Sequence, residues 1–462
     1  MTIDRRTFIK HLSAAPLLGS GLATSCLSQR ALAADDSGYR ALVCVFLFGG
    51  MDNNDVLLPA DSQYDDFAFI RQSLLAEQGE SRARENLLVL QPDNAGSGDS
   101  LWALPPEMSA TRSLFESGNA SIVSNVGPLI EPISRQQYLD STAPLPARLF
   151  SHNDQQATWQ ASAPEGAQLG WGGLFADAFL SSSSSSDALS FTTIASTDVG
   201  PFLTGERAFP YRVNAGGASR IFLLGDANDG PADDNLQQRL RQHLRGENYR
   251  GSHVIRGDMV GAFASALDTN ASYNQARSNA VPLFTAFPQS GLGSQLRTVA
   301  ETISIRNELG VSRQVFFVGI GGFDTHSEQA QDLPLLLADI DASVSAFFTA
   351  TGELGVSDEV TLFTASDFGR TLAVNGDGTD HGWGAHHLVV GGAVRGRQLL
   401  GTPPPPRIDN PFDAGAGAAI PQFSVEQFAE PLGQWFGLSD DELLAALPRL
   451  GNFDRGTLPL FA

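Results

Sequence analysis

Six short stretches of this chain run apolar with little alternation: Ala41–Phe48, Ser121–Val126, Phe191–Ala195, Gln314–Ile320, Val360–Thr364 and Leu388–Val390. Continuous runs of this length fit strands covered on both faces, as in a parallel sheet. Between them lie stretches of helical period. The clearest is DLPLLLADIDASVSAFFTA, where Leu336, Ile340, Val344 and Phe347 fall on one helical face. Strand–helix–strand alternation predicts an α/β fold, a doubly wound sandwich with a mostly parallel central sheet and helices on both faces.

In such folds the site lies beyond the carboxyl ends of the strands, so the residues that follow each run matter most. After Phe48 comes GGMDNND, with Asp52 and Asp55. After Ile320 comes GGFDTH, with Asp324 and His326, and after Thr364 comes ASDFGRT, with Asp367 and Arg370. Three strand ends thus each present a carboxylate after a turn of small residues. Nearby, GDGTDHGWGAHH carries His381, His386 and His387, three of the eight histidines in the chain.

Outside the strands, Ser181–Ser186 reads as a surface loop and Pro403–Pro406 as a stiff connector. The Gly-, Asn-, Asp- and Arg-rich region at about 198–291 reads as an insertion, with a cap over the site as one arrangement. The remainder, 34–462, reads as one domain, large enough to bury a sizeable core.

The first 33 residues stand apart. DRRTFIK sets Arg5 and Arg6 ahead of an apolar stretch from Leu12 to Ala23, and Ala31-Leu32-Ala33 offers a small-x-small cleavage pattern. This resembles a twin-arginine export signal, read by the export machinery and removed. It implies a periplasmic or extracellular protein exported already folded; the rival reading is a lipoprotein anchor at Cys26. The apolar run is too short for a stable span, and no transmembrane segment is expected in the mature chain. Removing residues 1–33 leaves 25 basic against 50 acidic side chains. That balance argues against nucleic acid and anionic membranes as partners. Cys44 would then be the one remaining cysteine, inside an apolar run, and reads as a core thiol.

Carboxylates with neutral imidazoles suit one or two divalent ions, with zinc, manganese, magnesium and calcium all open. Asp324 and His326, two apart on a turn, can hold one ion together, or merely cap the turn. In LFSHNDQQATWQ, Ser151 reads either as a plain N-cap with Asp154 three residues on, or as a nucleophile where backbone amides favour an anion. His152 can then bind ester oxygens or help protonate a leaving group. Arg370 can grip a tetrahedral oxyanion or serve as structural glue.

Taken in order, ALVCVFLFGGMDNND, LFSHNDQQATWQ, GWGGLFAD, GGFDTH, TASDFGRT, GTDHGWG, VVGGAVRG and SVEQFAEPLGQWFGL resemble the twin-arginine-exported family known as domain of unknown function 1501. That family is placed in the alkaline phosphatase/sulfatase superfamily, so the resemblance implies an alkaline-phosphatase-like sandwich. By the superfamily pattern, Asp52 matches the first carboxylate and Ser151 the nucleophile. Asp324 and His326 match a later pair, Asp367 the next carboxylate, and His381 the last imidazole, with His386 as its substitute. One departure stands out: the usual Ser-Asp-His-Gly is Ser366-Asp367-Phe368-Gly369 here, so an apolar ring replaces a ligand imidazole.

Two functions follow as expectations. One is an exported metal-dependent hydrolase acting on a small anionic phosphate or sulfate ester through Ser151. The other is a catalytically silent relative serving as a periplasmic assembly or partner protein. A carbohydrate-binding module is disfavoured, because no exposed Trp/Tyr ladder is apparent.

Overall fold

The computed structural model describes residues 38–461, except 97, 181–185, 199, 216 and 219–253, within which only Arg239 and His243 are described. The twin-arginine segment and most of the six-serine tract lie outside the described residues. Residues Ala34–Ala462 form one compact unit.

All six apolar runs enter one ten-stranded sheet. Its centre is the strand Arg40–Leu47, which pairs in parallel with Val360–Ser366 on one side and Arg313–Ile320 on the other. Thr193–Ala195 continues the parallel set beyond Arg313–Ile320. On the other side Ala385–Val390 runs antiparallel to Val360–Ser366, and Ala120–Gly127 runs antiparallel to it in turn. The fold is therefore a mostly parallel α/β sandwich, as the apolar runs predict. Phe191 falls outside its strand because it closes the helix Ser186–Phe191.

The two-sided burial is visible residue by residue along Arg40–Leu47. Ala41, Val43, Val45 and Leu47 enter one apolar cluster, and Leu42, Cys44 and Phe46 enter the other. Period-two alternation sends successive side chains to opposite faces, so a strand between two helical layers must be apolar throughout. The first face is covered by the helices Gly291–Ser304 and Gln329–Glu353, the second by Trp171–Asp177 and Val425–Phe436. Gln329–Glu353 is long and apolar enough to cross a membrane, yet it lays Leu333, Leu337, Ile340, Val344 and Phe347 against the sheet.

The described part of the 198–291 region includes one edge of the sheet. Tyr211–Asn214 joins the sheet edge parallel to Thr193–Ala195. Tyr273, on the helix Val254–Ser278, packs on Phe191 and Tyr211 and hydrogen-bonds Thr302. These contacts run to the sheet edge, so the described residues extend the sandwich sideways.

His386 and His387 sit mid-sheet and fully buried. His386 Nδ1 accepts from the Asn125 amide, and His387 packs edge-on against Trp159. Burial pushes His386 down to about 4 against the pull of Asp52, and His387 down to about 3, with the His386 charge adding to the effect. Between the ordinary value near 6.5 and these values the unfolded chain binds more protons than the folded one. Stability is thus fully present above about pH 6.5 and falls as pH drops toward 4, by about 3 kcal/mol per imidazole. Urea titrations at pH 7, 5.5 and 4.5 should show this acid limb, and His387→Phe should flatten roughly half of it. An identical limb in that variant would assign the loss to other groups.

Candidate metal centre

The three predicted strand ends do converge. Ser366 Oγ donates to the Leu47 carbonyl and accepts from the Met51 amide, tying the first and third ends together. The second end lies against Gly49, where an added Cβ would stand 2.3 Å from the Asp324 nitrogen. Only glycine allows that approach, and its φ of +118° adds a second reason for the residue type.

Asp324 is the hub. Its Oδ1 lies 3.2 Å from His326 Nε2 and 3.2 Å from His381 Nε2, and these two nitrogens are 2.9 Å apart. Its Oδ2 lies 3.5 Å from His152 Nε2. One ligand atom from each of His152, Asp324 and His381 falls within 4.8 Å of the others. With metal–donor bonds of roughly 2.0–2.1 Å, neighbouring donors of a tetrahedral site lie about 3.3 Å apart. The Asp324–His326–His381 triangle matches that spacing.

Two of the imidazoles have an oxygen hydrogen-bonded behind them. His152 Nδ1 lies 2.6 Å from Asp367 Oδ2 and His381 Nδ1 is 2.7 Å from the Phe150 carbonyl, while His326 Nδ1 faces the Asn375 amide nitrogen at 3.5 Å, with Asp380 Oδ1 3.4 Å away. At His152 and His381 the oxygen at Nδ1 can hold the ring proton there, which frees Nε2 for an ion, the arrangement typical of metal-bound histidine. The His152 Nε2 atom is buried and makes no hydrogen bond among the described residues, and the same holds for Asp367 Oδ1. Two orphaned buried polar atoms at one site point to a group that completes them.

The electrostatics agree. The Asp367 hydrogen bond raises the His152 pKa, outweighing partial burial. Burial lowers that of His381, with the Phe150 carbonyl opposing. Burial alone would raise Asp324, but the Arg370 guanidinium, hydrogen-bonded to it, holds it below the usual carboxylate range. The site favours an ionised aspartate beside imidazole donors.

Local structure delivers these groups. His152 opens the helix His152–Ala161, so Gln156, one turn on, shares its face and donates to the same Asp367 oxygen. Phe150 adopts a φ of +70°, which lies in the left-handed region, in the turn that presents its carbonyl to His381. His381 lies on the short strand Thr379–His381, paired with Arg370–Val374. The loop before it passes so close to Asp324–His326 that a Cβ at Gly378 would stand 2.3 Å from the Thr325 carbonyl oxygen.

The other sequence candidates fall in three groups. Arg370 acts as glue: fully buried, it donates to Asp324 Oδ1 at 2.8 Å and to the Gly49 carbonyl at 3.1 Å. Ser151 sits at the helix N-cap without making a side-chain cap bond, and its hydroxyl donates to Asp154 Oδ2 at 2.9 Å. Asp52 and His386 stand apart from the cluster. Both Asp52 oxygens are taken by Arg71, with Gln329 and the Asn54 amide completing its shell. His386 lies on the strand Ala385–Val390, turned to Ser124 and Asn125. Phe368, fully buried, packs its ring on His152 and His381 at 4.9 and 4.6 Å between centroids. The apolar ring therefore supports the imidazoles that hold the place of the missing one.

Sequence reasoning missed Asp367 as the residue behind His152, the Phe150 carbonyl as the acceptor for His381, and Gln156, Arg71 and Gln329. Only Gln156 left a signal, its one-turn spacing from His152.

Several solved structures are similar to this chain at low level. They include the crystal structure of Ps i-CgsB, with 10% identity over 90% of this chain and 77% of that one and a TM-score of 0.35. The structure of Ps i-CgsB in complex with k-i-k-neocarrahexaose gives 11% identity, 90% and 77% coverage and a TM-score of 0.34. A protein from a Bacteroides thetaiotaomicron core genetic locus for metabolism of multiple glycosaminoglycans gives 11%, 83% and 74%, and 0.29. Likeness at these TM-scores bears no weight on chemistry. No curated protein matches the sequence. Residues 39–446 match the family model described as protein of unknown function DUF1501, and the chain belongs to that family.

Proposed function

We propose that this protein is an exported, metal-dependent hydrolase that acts on a small anionic phosphate or sulfate ester outside the cytoplasm. The observation that carries this reading is the convergence of three imidazole Nε2 atoms on Asp324, two of the rings backed by an oxygen at Nδ1. Imidazole donors beside a single carboxylate favour zinc or manganese over calcium or magnesium, which prefer oxygen-only shells.

A divalent ion held there supplies Lewis-acid polarisation of an ester oxygen and offsets the acidic surroundings. The protein's own residues do the rest. Asp367 makes His152 a stronger donor, Arg370 holds Asp324 in place, and Phe368 closes the side away from solvent. Ser151, next to His152 at a helix N-terminus, is the nucleophile in this reading. Asp154 accepts its proton as Oγ bonds to phosphorus or sulfur, and the ester oxygen leaves as the alcohol with a proton from solvent. Water then hydrolyses the serine ester to restore Ser151. The twin-arginine signal fits such a protein, since that route moves chains that fold and load metal beforehand.

A second reading is a catalytically silent periplasmic assembly or partner protein that keeps one structural ion. The engagement of Asp52 by Arg71 favours it, because the carboxylate that would serve a second ion is already neutralised. Hydrolysis of aryl phosphate and aryl sulfate by metal-loaded protein separates the two. Turnover should fall by about 10²-fold or more in Ser151→Ala and in His152→Gln. Stoichiometric metal with no turnover of either ester would leave the silent reading standing. Turnover that survives Ser151→Ala would move the attack to water.

A further inference from the structure

Asp324 and His326 lie on one loop, and His381 on another that is remote in sequence. Their donor atoms must nevertheless stay within about 3 Å of one another. One buried side chain spans both loops. Gln329, the first residue of the helix Gln329–Glu353, is fully buried. Its Oε1 accepts from Thr325 Oγ1 at 3.1 Å and from Thr379 Oγ1 at 2.7 Å. Thr325 lies between the two ligands of the first loop, and Thr379 is two residues before His381. The Gln329 amide nitrogen donates to Asp52 Oδ2, anchoring the arrangement to the buried Asp52–Arg71 pair.

The chain of contacts runs on to the hub. Thr379 Oγ1 also accepts from Arg370 Nε at 3.2 Å, and Arg370 donates to Asp324 Oδ1. The Thr379 amide donates to the Thr325 carbonyl at 3.1 Å, so the two loops are joined directly as well. An amide suits this position because it offers an acceptor to two hydroxyls and a donor to a carboxylate. A glutamate would face Asp52 with like charge, and an apolar residue would leave all three partners short.

From this we infer that Gln329 is a positioning residue for the metal centre: it sets the separation of the 324–326 and 379–381 loops, and so the affinity for the ion, while touching no ligand itself. This rests on the metal reading above. Residues that orient ligands without binding metal commonly contribute 10- to 100-fold in affinity.

The test measures zinc and manganese affinity of the metal-stripped, full-length mature protein by competition with a chromophoric chelator, alongside urea denaturation of the apo form. Gln329→Met should weaken the affinity by about 10-fold or more while saturating at the wild-type stoichiometry. Thr379→Val removes the shared hydroxyl with little change of shape, and serves if Gln329→Met fails to fold; it should shift affinity in the same direction. Asp341→Ala is the control. That carboxylate, on the same helix, caps a distant segment through the Ala110 and Thr111 amides, so its loss should lower apo stability and leave affinity unchanged. Wild-type affinity in both Gln329→Met and Thr379→Val would overturn the inference. Equal weakening in Asp341→Ala would also overturn it, by showing a general loss of stability. A wild-type protein that binds neither metal would instead overturn the metal reading itself.

Discussion

Replacing Asp324 and His381 together by alanine should strip the chain of divalent metal, whereas the wild-type mature protein should hold about one equivalent. The magnitude follows from the geometry. Asp324 faces all three imidazoles, so its removal withdraws the only carboxylate oxygen from the set, and His381 contributes a second edge of the triangle. Two imidazoles from separate segments remain, too few for a stable first-row site at ordinary metal concentrations. Elemental analysis after native export, followed by dialysis against zinc or manganese, reads the loss directly. Thermal unfolding gives an independent readout. A ligand present at a hundred times its Kd stabilises the folded state by about 2.7 kcal/mol, so added metal should raise the wild-type midpoint and leave the double variant unmoved. His386→Gln, which changes a histidine outside the cluster, should keep its metal. Equal metal in the wild type and the double variant would place the ion elsewhere, and none in either would remove the hydrolase reading.

How much of this was legible in the sequence depends on the kind of interaction. The sheet was legible because burial on both faces writes itself as continuous apolar runs, and Arg40–Leu47 divides its side chains between two cores. The site's neighbourhood was legible too, because carboxyl ends of parallel strands gather in space and glycine turns mark where chains approach closely. The partition of roles was not. Asp52, Asp324 and Asp367 read alike as carboxylates after strands, yet one pairs with Arg71, one faces three imidazoles and one stands behind His152. What separates them is the partner each meets from a distant segment. Arg71, between two short helices, and Gln329, at a helix start, lie in stretches whose sequence gives no hint of what they reach. His386 and His381 posed the same problem: five residues apart, they lie on different strands, and one turns into the sheet while the other turns to Asp324.

Asp52 also yields the largest stability effect. Asp52→Ala should cost about 3–5 kcal/mol, because it leaves the Arg71 guanidinium buried without its counter-charge. Arg71 is 2% exposed and Asp52 fully buried, so water cannot take over the lost contacts. Arg71 would keep only the Thr371 and Leu372 carbonyls, and the Gln329 amide would lose its acceptor. Denaturation midpoints should show the loss. Replacing both partners by apolar residues, as in Asp52→Val with Arg71→Met, should recover most of it, since a buried pair repays little beyond its own desolvation. The metal readout then separates two roles that one residue type can fill. A ligand's removal abolishes binding even at saturating metal, whereas an anchor's removal only weakens it through Gln329. Asp52→Ala should therefore still take up about one equivalent of zinc at saturation. Loss of that equivalent from a folded Asp52→Ala protein would put Asp52 back among the ligands, and the Arg71 pair would then be an arrangement that metal displaces.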